Sequence, residues 1–250
     1  MIGKLFIAVT LLLLLIPEIR AQSSNKGNQS GIVLSERILP APEAVFKMFQ
    51  NAGMNPVPHE LTDLEIQKVE KAFALLPPLH RKILQEHLYS ISFMDNMPNT
   101  ALTSPIETAD STKKFNITFR AETLHETISE WATWKENTYY IQPEDSAYRI
   151  KVDGGKLDAI VYILLHEATH VVDAVLNITP HPDDKDVVVE PTPFTSGIWY
   201  KMNVPNKEFI IPSLEKTRFR SGKSVSVCHV SAVYSSLQQT PFVSLYSMAS

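Results

Sequence analysis

Apolar residues recur at the three- and four-residue spacing of amphipathic helices in several parts of the chain. The first of these parts opens with Thr62 and Glu65, whose spacing is that of a helix capping box, and it ends at a pair of prolines. The last part is almost wholly apolar and ends just before Pro180. Helices are therefore predicted for residues 62–76, 79–88, 122–135 and 156–177.

Alternation of apolar and polar residues, which is typical of strands, is clearest at residues 115–119. The stretch 96–105 contains prolines and polar residues and is interpreted as a loop. The mixture of helices and short strands, with a long helix after the strands, indicates an α+β domain. Further strands are predicted at residues 89–93, 139–142, 148–152 and 224–227, of which the second and third suit a hairpin.

The long predicted helix carries the run His166-Glu167-Ala168-Thr169-His170, which is an H-E-x-x-H pattern flanked by apolar residues. Residues four apart lie on one face of a helix, so His166 and His170 can each offer a ring nitrogen to one zinc ion. Glu167 lies about a quarter-turn away. From there it can reach a water on the metal as a general base without occupying a metal position. The pattern therefore predicts a hydrolase site with Zn²⁺ as its cofactor.

The same pattern arises by chance in on the order of one chain in a hundred of this size. The two histidines would then be ordinary structural residues of an amphipathic helix. The composition of the helix disfavours this alternative, because burying three polar groups on an otherwise apolar helix costs roughly 1–3 kcal/mol each when they have no partner. The histidines at positions 80, 87 and 125 lie on amphipathic segments and are interpreted as exposed or hydrogen-bonded structural residues.

Residues 1–21 have the composition of a secretory signal peptide. Lys4 is followed by an almost unbroken apolar stretch from Leu5 to Ile16, and Ala21 is a suitable cleavage position. The apolar stretch is short for a membrane span. The predicted location is therefore secreted or periplasmic, with no stable membrane insertion after cleavage. An uncleaved N-terminal anchor is the alternative.

The rest of the chain is long enough for one sizeable domain. Residues 22–38 are predicted to be a flexible tether, and residues 39–250 to be the domain. The net charge of −4 does not favour nucleic acid or an anionic membrane surface as a partner. Cys228 is the only cysteine, so no disulfide can form within the chain, and the exported domain must be stabilised by its core or by its core and a metal. The sequence predicts no oligomeric state.

A catalytic zinc ion normally has three protein ligands, and the predicted helix supplies two of them. Asp173 lies just beyond His170 and is expected to orient a ligand or a neighbouring loop, or else to be a surface charge. Glu190 is the alternative third ligand within the chain, although it lies in a strand or loop context. The residues downstream of His170 that carry a carboxylate or an imidazole are Asp173, His181, Asp183, Asp184, Asp186, Glu190, Glu208, Glu215 and His229.

The run from His166 to Asp173 resembles the zinc metallopeptidases of the gluzincin group, and it is most similar to the branch that includes the anthrax lethal factor catalytic domain. The resemblance implies that the third ligand is a glutamate on a later helix, in a stretch where a tyrosine helps to stabilise the transition state. Tyr246 is expected to be that tyrosine, and the glutamate would then fall just past Ser250. The residues at 173 and 176 do not match the metzincin pattern, which disfavours that family.

The resemblance also implies a fold. Residues 39–250 would form a zincin-like metallopeptidase domain, truncated at its C-terminal end, in which a small mixed sheet is followed by the active-site helix. In zincins an edge strand that precedes this helix binds the substrate. The strand at residues 115–119 is expected to be that edge, where an extended peptide can pair through its backbone.

The motif and the resemblance together predict a secreted or periplasmic zinc peptidase that acts on a protein or peptide substrate, as an endopeptidase. Glu167 would take the proton of the attacking water and deliver it to the leaving amine, and Tyr246 would donate to the developing oxyanion. Two other hypotheses stay open. One is a non-catalytic zincin-like module that binds metal or peptide, and the other is an exported structural protein with a chance H-E-x-x-H pattern.

Overall fold

The computed structural model describes residues 34–109, 112–179, 187–188, 190–193, 195–217 and 225–248. The predicted signal peptide and most of the predicted tether lie outside these ranges. The helices are α1 (Glu43–Asn51), α2 (Asp63–Ala74), α3 (Pro78–His87), α4 (Ile128–Asn137), α5 (Ala159–Leu176), α6 (Pro212–Glu215) and α7 (Val230–Leu237). The strands are β1 (Val57–Pro58), β2 (Leu88–Asp95), β3 (Ala101–Ile106), β4 (Lys114–Arg120), β5 (Trp199–Lys201) and β6 (Val204–Pro205). The described chain is thus a mixed α+β protein, as the sequence predicted.

The main sheet has four strands in the order β1-β2-β4-β3. It is mixed, because β2 and β4 run parallel whereas β1 and β3 are antiparallel to their neighbours. Ile91 on β2 is in register with Ile117 on β4, and Phe93 with Phe119. These side chains point to one face of the sheet and belong to the main core, which α2, α3 and α5 complete. The strands therefore provide the platform on which α5 lies.

The polar residues of the alternating strand β4 are also buried. Asn116 and Thr118 are fully inaccessible, and their side chains form a hydrogen-bonded group with Ser90 and Ser92 of the adjacent strand. Because every member has a partner, the group avoids the cost of an unsatisfied buried polar atom. The alternation predicted the strand correctly, although its polar side does not face solvent.

Helices α2, α3 and α5 match the predicted segments closely, whereas α1, α6 and α7 were not predicted from the sequence. Thr62 is the N-cap of α2 and forms the predicted capping box with Glu65. The segments 79–88 and 156–177 correspond to α3 and α5. The segment 122–135 is only partly helical in the α form, because residues 121–124 make a 3₁₀ turn and α4 begins at Ile128 with its own capping box.

The interpretation of residues 96–105 as a loop is confirmed for residues 96–100 and wrong for residues 101–105. Residues 101–106 form strand β3, which pairs antiparallel with β4 over six residue pairs. Pro105 misled the sequence analysis, but proline is tolerated on an edge strand because such a strand can leave its outward N–H unpaired. The edge strand beside α5 is consequently β3, and the expectation that residues 115–119 form the edge is also wrong, since β4 lies between β2 and β3.

Three other predicted strands are absent from the described residues. Ile141 makes an isolated bridge to Ser226, and residues 227–229 form a 3₁₀ turn that leads into α7. Residues 148–152 form no strand and lie beside α4, where the side chain of Asn137 donates to the carbonyl of Ile150 and the hydroxyl of Thr133 accepts from the N–H of Val152. Side chains of a helix, and not a partner strand, form the hydrogen bonds with their backbone groups. A local sequence pattern does not reveal which of the two will do so.

The packed part of the described chain begins upstream of Leu39. Leu34–Arg37 form a 3₁₀ turn in which Leu34 belongs to the main core. The guanidinium of Arg37 donates to the carbonyl oxygens of Leu84 and Gln85 over 3.1 and 3.0 Å, and it also donates to that of Leu88. These contacts fasten the segment to the end of α3.

Glu65→Gln should destabilise the protein at neutral pH and much less in acid. Glu65 is buried, which by itself would raise its pKa, but hydrogen bonds from Thr62 and the contact with His59 lower that pKa from its ordinary value of 4.5 to about 2. A folded-state pKa below the unfolded value adds stability above the unfolded pKa, and this stability is lost as pH falls from about 5 toward 2. Urea unfolding from pH 7 to pH 2 should show the two proteins converging, while Glu70→Gln, an exposed change on the same helix, follows the wild type.

Candidate metal centre

Contacts at both ends of α5 fix the position of the helix that carries the site. Its first turn is fixed by backbone hydrogen bonds from Ile128 to Leu157 and from Ala159 to Glu126, each shorter than 3 Å. At its other end Asn177 adopts the left-handed conformation with a φ of 51°, which asparagine tolerates and which stops the helix. Of the described helices, α5 alone is long and apolar enough to cross a membrane by composition. Its buried face packs into the main core, which accounts for that composition.

His166 and His170 present their rings side by side on α5. The two Nε2 atoms are 3.2 Å apart. A tetrahedral zinc ion bonded to two imidazole nitrogens at about 2.0–2.1 Å would hold those nitrogens about 3.3 Å apart. His166, Glu167 and His170 each offer a ligand atom within 4.8 Å of the others, so this group could hold a metal ion. The donor set of two imidazoles suits zinc, and their observed separation fits its bond geometry.

The carboxylate of Glu167 is buried beside the two imidazoles and is only 6% exposed. The hydroxyl of Thr103, on β3, donates to one of its oxygens over 2.7 Å. Burial raises the pKa of Glu167, and the hydrogen bond from Thr103 and the charge of His170 partly oppose that rise. A carboxyl group whose pKa is raised in this way is better able to accept and return a proton near neutral pH than an exposed one.

The environment of His166 favours the neutral ring. Burial, the neighbouring His170 and the charge of Lys135 lower the pKa of His166 to about 4. A neutral imidazole has a free nitrogen lone pair, which is the form that binds a metal. His166 is therefore in a coordinating state at neutral pH.

Tyr246 reaches the same site from the far end of the chain. Its hydroxyl oxygen lies 3.4 Å from Nε2 of His166, and the two rings make an edge contact at 5.7 Å between centroids. Leu245 and Met248, on either side of Tyr246, are buried in a second core cluster, which anchors the turn. The structure thus brings together His166, Glu167, His170 and Tyr246, the four residues that the sequence analysis singled out.

Asp173 does not join the histidines. Its carboxylate accepts from the backbone N–H of Thr179 over 2.8 Å and from the hydroxyl of the same residue. It therefore ties the segment after α5 back to the helix, which matches the expectation that it orients a neighbouring loop.

Among the residues that the structure describes, no carboxylate or imidazole from later in the chain joins His166 and His170 in a group that could hold a metal. The group able to hold a metal contains neither Glu190, which is exposed, nor Glu208, Glu215 or His229. His181, Asp183, Asp184 and Asp186 lie outside the described residues. The part of the chain that is described therefore supplies two imidazoles and one buried carboxylate.

The site opens into a cavity of about 1060 Å³. The lining residues come from the edge strand β3, from α5, and from α4 with the turn that follows it. Thr103, Lys135 and Tyr139 also line this cavity and were not predicted as site residues from the sequence. The only sequence signal for Lys135 and Tyr139 was their four-residue spacing at the end of one predicted helix. No signal pointed to Thr103, because its strand was interpreted as a loop.

Thr103→Val should reduce the rate of any reaction that uses Glu167 as a base, by roughly 10- to 100-fold, because a buried hydrogen bond to a charged group is worth about 1.5–3 kcal/mol. Valine preserves the shape of the side chain and removes the hydroxyl donor that positions the carboxylate. Thr103→Ser keeps the hydroxyl and should retain most of the rate. The comparison is made by steady-state kinetics, and equal rates for the valine and serine variants would show that the hydrogen bond is not used.

The site thus consists of two imidazoles at a separation that suits a metal, a buried carboxylate that accepts a hydrogen bond from a threonine, and a tyrosine hydroxyl. All of these residues line one cavity. Comparison of the chain with protein-family models, with curated proteins and with solved structures finds no match.

Proposed function

We propose that the protein is a zinc-dependent peptidase with a zincin-like fold of the gluzincin group. The observation that carries the proposal is the 3.2 Å separation of the His166 and His170 Nε2 atoms next to the buried carboxylate of Glu167. A metal pair of histidines with an adjacent buried carboxylate is the arrangement of a metalloprotease helix. The position of this helix after a small mixed sheet is also what a zincin-like domain requires.

His166 and His170 would hold the metal. When bound, a zinc ion would lower the pKa of its water toward about 7 and polarise the scissile carbonyl. The chain supplies the remaining chemistry through groups that already face the cavity.

Glu167 acts as the general base and then as the general acid. It takes a proton from the attacking water and delivers it to the nitrogen of the leaving amine. The hydroxyl of Thr103 keeps one carboxylate oxygen in place, so the other is directed to the reacting water. Burial raises the pKa of Glu167 and so favours return of the proton after the attack.

Tyr246 stabilises the oxyanion that forms on the scissile carbonyl. Its hydroxyl lies 3.4 Å from Nε2 of His166, so it would be close enough to donate to the carbonyl oxygen of a peptide held beside the two histidines. The turn that carries it is anchored by two buried neighbours, which limits the loss of side-chain freedom when it donates.

The substrate is an extended peptide or an unfolded segment of a protein. β3 pairs with β4 on one side only within the described chain, which leaves its other edge toward the cavity. The N–H of Arg120 donates to the carbonyl of Thr100, so these two residues form a hydrogen-bonded pair of the antiparallel ladder. Because such pairs alternate along a strand, the backbone N–H and C=O of Thr103 point away from β4. A peptide that adds to this edge would pass directly over Glu167. We further propose a secreted or periplasmic location, with neither nucleic acid nor a membrane as a partner.

One observation favours a second candidate, a zincin-like module that binds metal or peptide without hydrolysis. The described residues provide two imidazoles and the carboxylate of Glu167, whereas a catalytic zinc ion normally has three protein ligands besides its base.

Elemental analysis and proteolysis of the purified full chain distinguish the two candidates. A peptidase should contain about one zinc per chain and cleave an unfolded protein, and a chelator should stop the cleavage until zinc is restored. Zinc near one equivalent without cleavage would identify the binding module. Protein that stays metal-free after incubation with zinc salts contradicts the peptidase and a metal-binding module.

A further inference from the structure

The cavity contains a second set of polar groups beyond the metal site. Lys135 lies in the last turn of α4 and Tyr139 in the turn that follows, and both line the cavity. The ammonium of Lys135 lies 5.2 Å from the centre of the Tyr246 ring, whose hydroxyl is beside His166. Lys135 therefore lies beside the tyrosine that reaches His166, and Tyr139 lines the same cavity.

Tyr139 has an unusual environment for a polar group. Its side chain is 6% exposed, and its buried hydroxyl has no hydrogen-bond partner among the described residues. A buried hydroxyl without a partner lowers stability, and a ligand that enters the cavity can complete its hydrogen bond. The neighbouring Tyr140 also has an unpartnered buried hydroxyl but does not line the cavity.

The charges around the cavity favour an anion. The described lining residues include three acids, Glu136, Glu167 and Asp173, and three lysines, at positions 113, 114 and 135. These charges balance, so a bound divalent cation leaves the cavity with an excess of positive charge. Charge in a partly buried cavity is costly unless a ligand of opposite sign is present. The anionic groups that peptides carry are carboxylates.

We propose that Lys135 and Tyr139 form a subsite that binds a carboxylate group of the substrate beside the metal centre. The carboxylate accepts from the ammonium of Lys135 and from the hydroxyl of Tyr139. It belongs either to an acidic side chain next to the scissile bond or to the C-terminus of a short peptide. The inference rests on the proposed peptidase function, and it assigns that function a preference for acidic substrates or for cleavage near a free C-terminus.

Binding of uncleaved peptides by the zinc-loaded full chain carrying Glu167→Gln tests the subsite by calorimetry. One peptide pair is capped at both ends and differs by a single central Glu or Gln. The second pair lacks acidic side chains and differs by a free or amidated C-terminus. In at least one pair the carboxylate form should bind at least tenfold more tightly, as expected for a hydrogen bond to a charged group. Equal binding within both pairs would overturn the proposal.

Matched variants assign the preference to its residues. In the same background, Lys135→Met should remove most of the preference and Lys135→Arg should retain part of it. Lys151→Met, the same charge change at an exposed residue outside the cavity lining, should leave it intact. Tyr139→Phe should weaken binding of the carboxylate peptide severalfold without lowering the melting temperature, whereas Tyr140→Phe should not weaken it. A preference that survives Lys135→Met would contradict the assignment.

Cleavage by the wild-type chain is measured separately on the same peptides. Absence of cleavage with the binding preference intact would reject the peptidase function and keep the carboxylate subsite. Cleavage without any preference would do the reverse, so the two proposals fail independently.

Discussion

Glu167→Gln should lower peptide hydrolysis by roughly 10²–10⁴-fold, the range that general acid–base catalysis contributes, while zinc stays bound. Glutamine has nearly the same shape as glutamate and can still accept the hydrogen bond from Thr103, so the geometry of the site is preserved. It cannot accept a proton from the water or return one to the leaving amine. The expected loss is therefore in kcat, with little change in the binding of substrate.

The measurement combines single-turnover kinetics with elemental analysis of the same preparation. Glu122→Gln provides the control for a change of charge elsewhere, since Glu122 is exposed in the 3₁₀ turn before α4. A Glu167→Gln protein that binds zinc and cleaves at the wild-type rate would remove this residue from the mechanism. A Glu167→Gln protein that has lost zinc would place the carboxylate among the metal ligands instead.

His166→Ala and His170→Ala should each abolish stoichiometric zinc binding at micromolar metal. Removing a group that merely orients a ligand already costs about 10–100-fold in metal affinity, and removal of a ligand itself costs more. Because metal binds the folded state, zinc should raise the melting temperature of the wild type and leave that of both variants unchanged. Cleavage should disappear along with the metal.

His80→Ala is the matched control for the two histidine variants. His80 lies on α3 and its Nε2 atom contacts the hydroxyl of Thr169 over 3.1 Å, so it touches α5 within the H-E-x-x-H pattern without joining the metal-binding group. This variant should keep one zinc per chain and a zinc-dependent melting temperature. Loss of zinc from His80→Ala would mean that the binding site includes α3, which contradicts the assignment to His166 and His170.

The site residues on α5 could be predicted because their geometry is local. The separation of His166 from His170 is set by the four-residue spacing of a helix, and no distant contact is needed to place them on one face. The start of α2 was predicted for a similar reason, since Thr62 and Glu65 satisfy each other's backbone groups within one turn. Tyr246 was identified only through the family resemblance, because eighty residues separate it from His166.

The remaining features depend on contacts between distant parts of the chain. β3 is a strand because β4 supplies its hydrogen bonds, and the sequence of residues 101–106 does not indicate which strand will pair with it. Residues 148–152 have the composition of a strand, but side chains of α4 form hydrogen bonds with their backbone and no strand pairs with them in the described chain. Thr103 reaches Glu167 because β3 packs beside α5, so this contact could not be predicted before the sheet order was known.

The position of Thr103 on an edge strand has a consequence for how the site responds to heat or denaturant. β3 shares its backbone hydrogen bonds with β4 alone in the described chain, whereas β2 and β4 lie inside the sheet. Amide protons of β3 should therefore exchange with solvent faster than those of β4, through fraying that leaves α5 folded. Each fraying event releases the carboxylate of Glu167 from its threonine, so inactivation should precede the loss of helical circular dichroism.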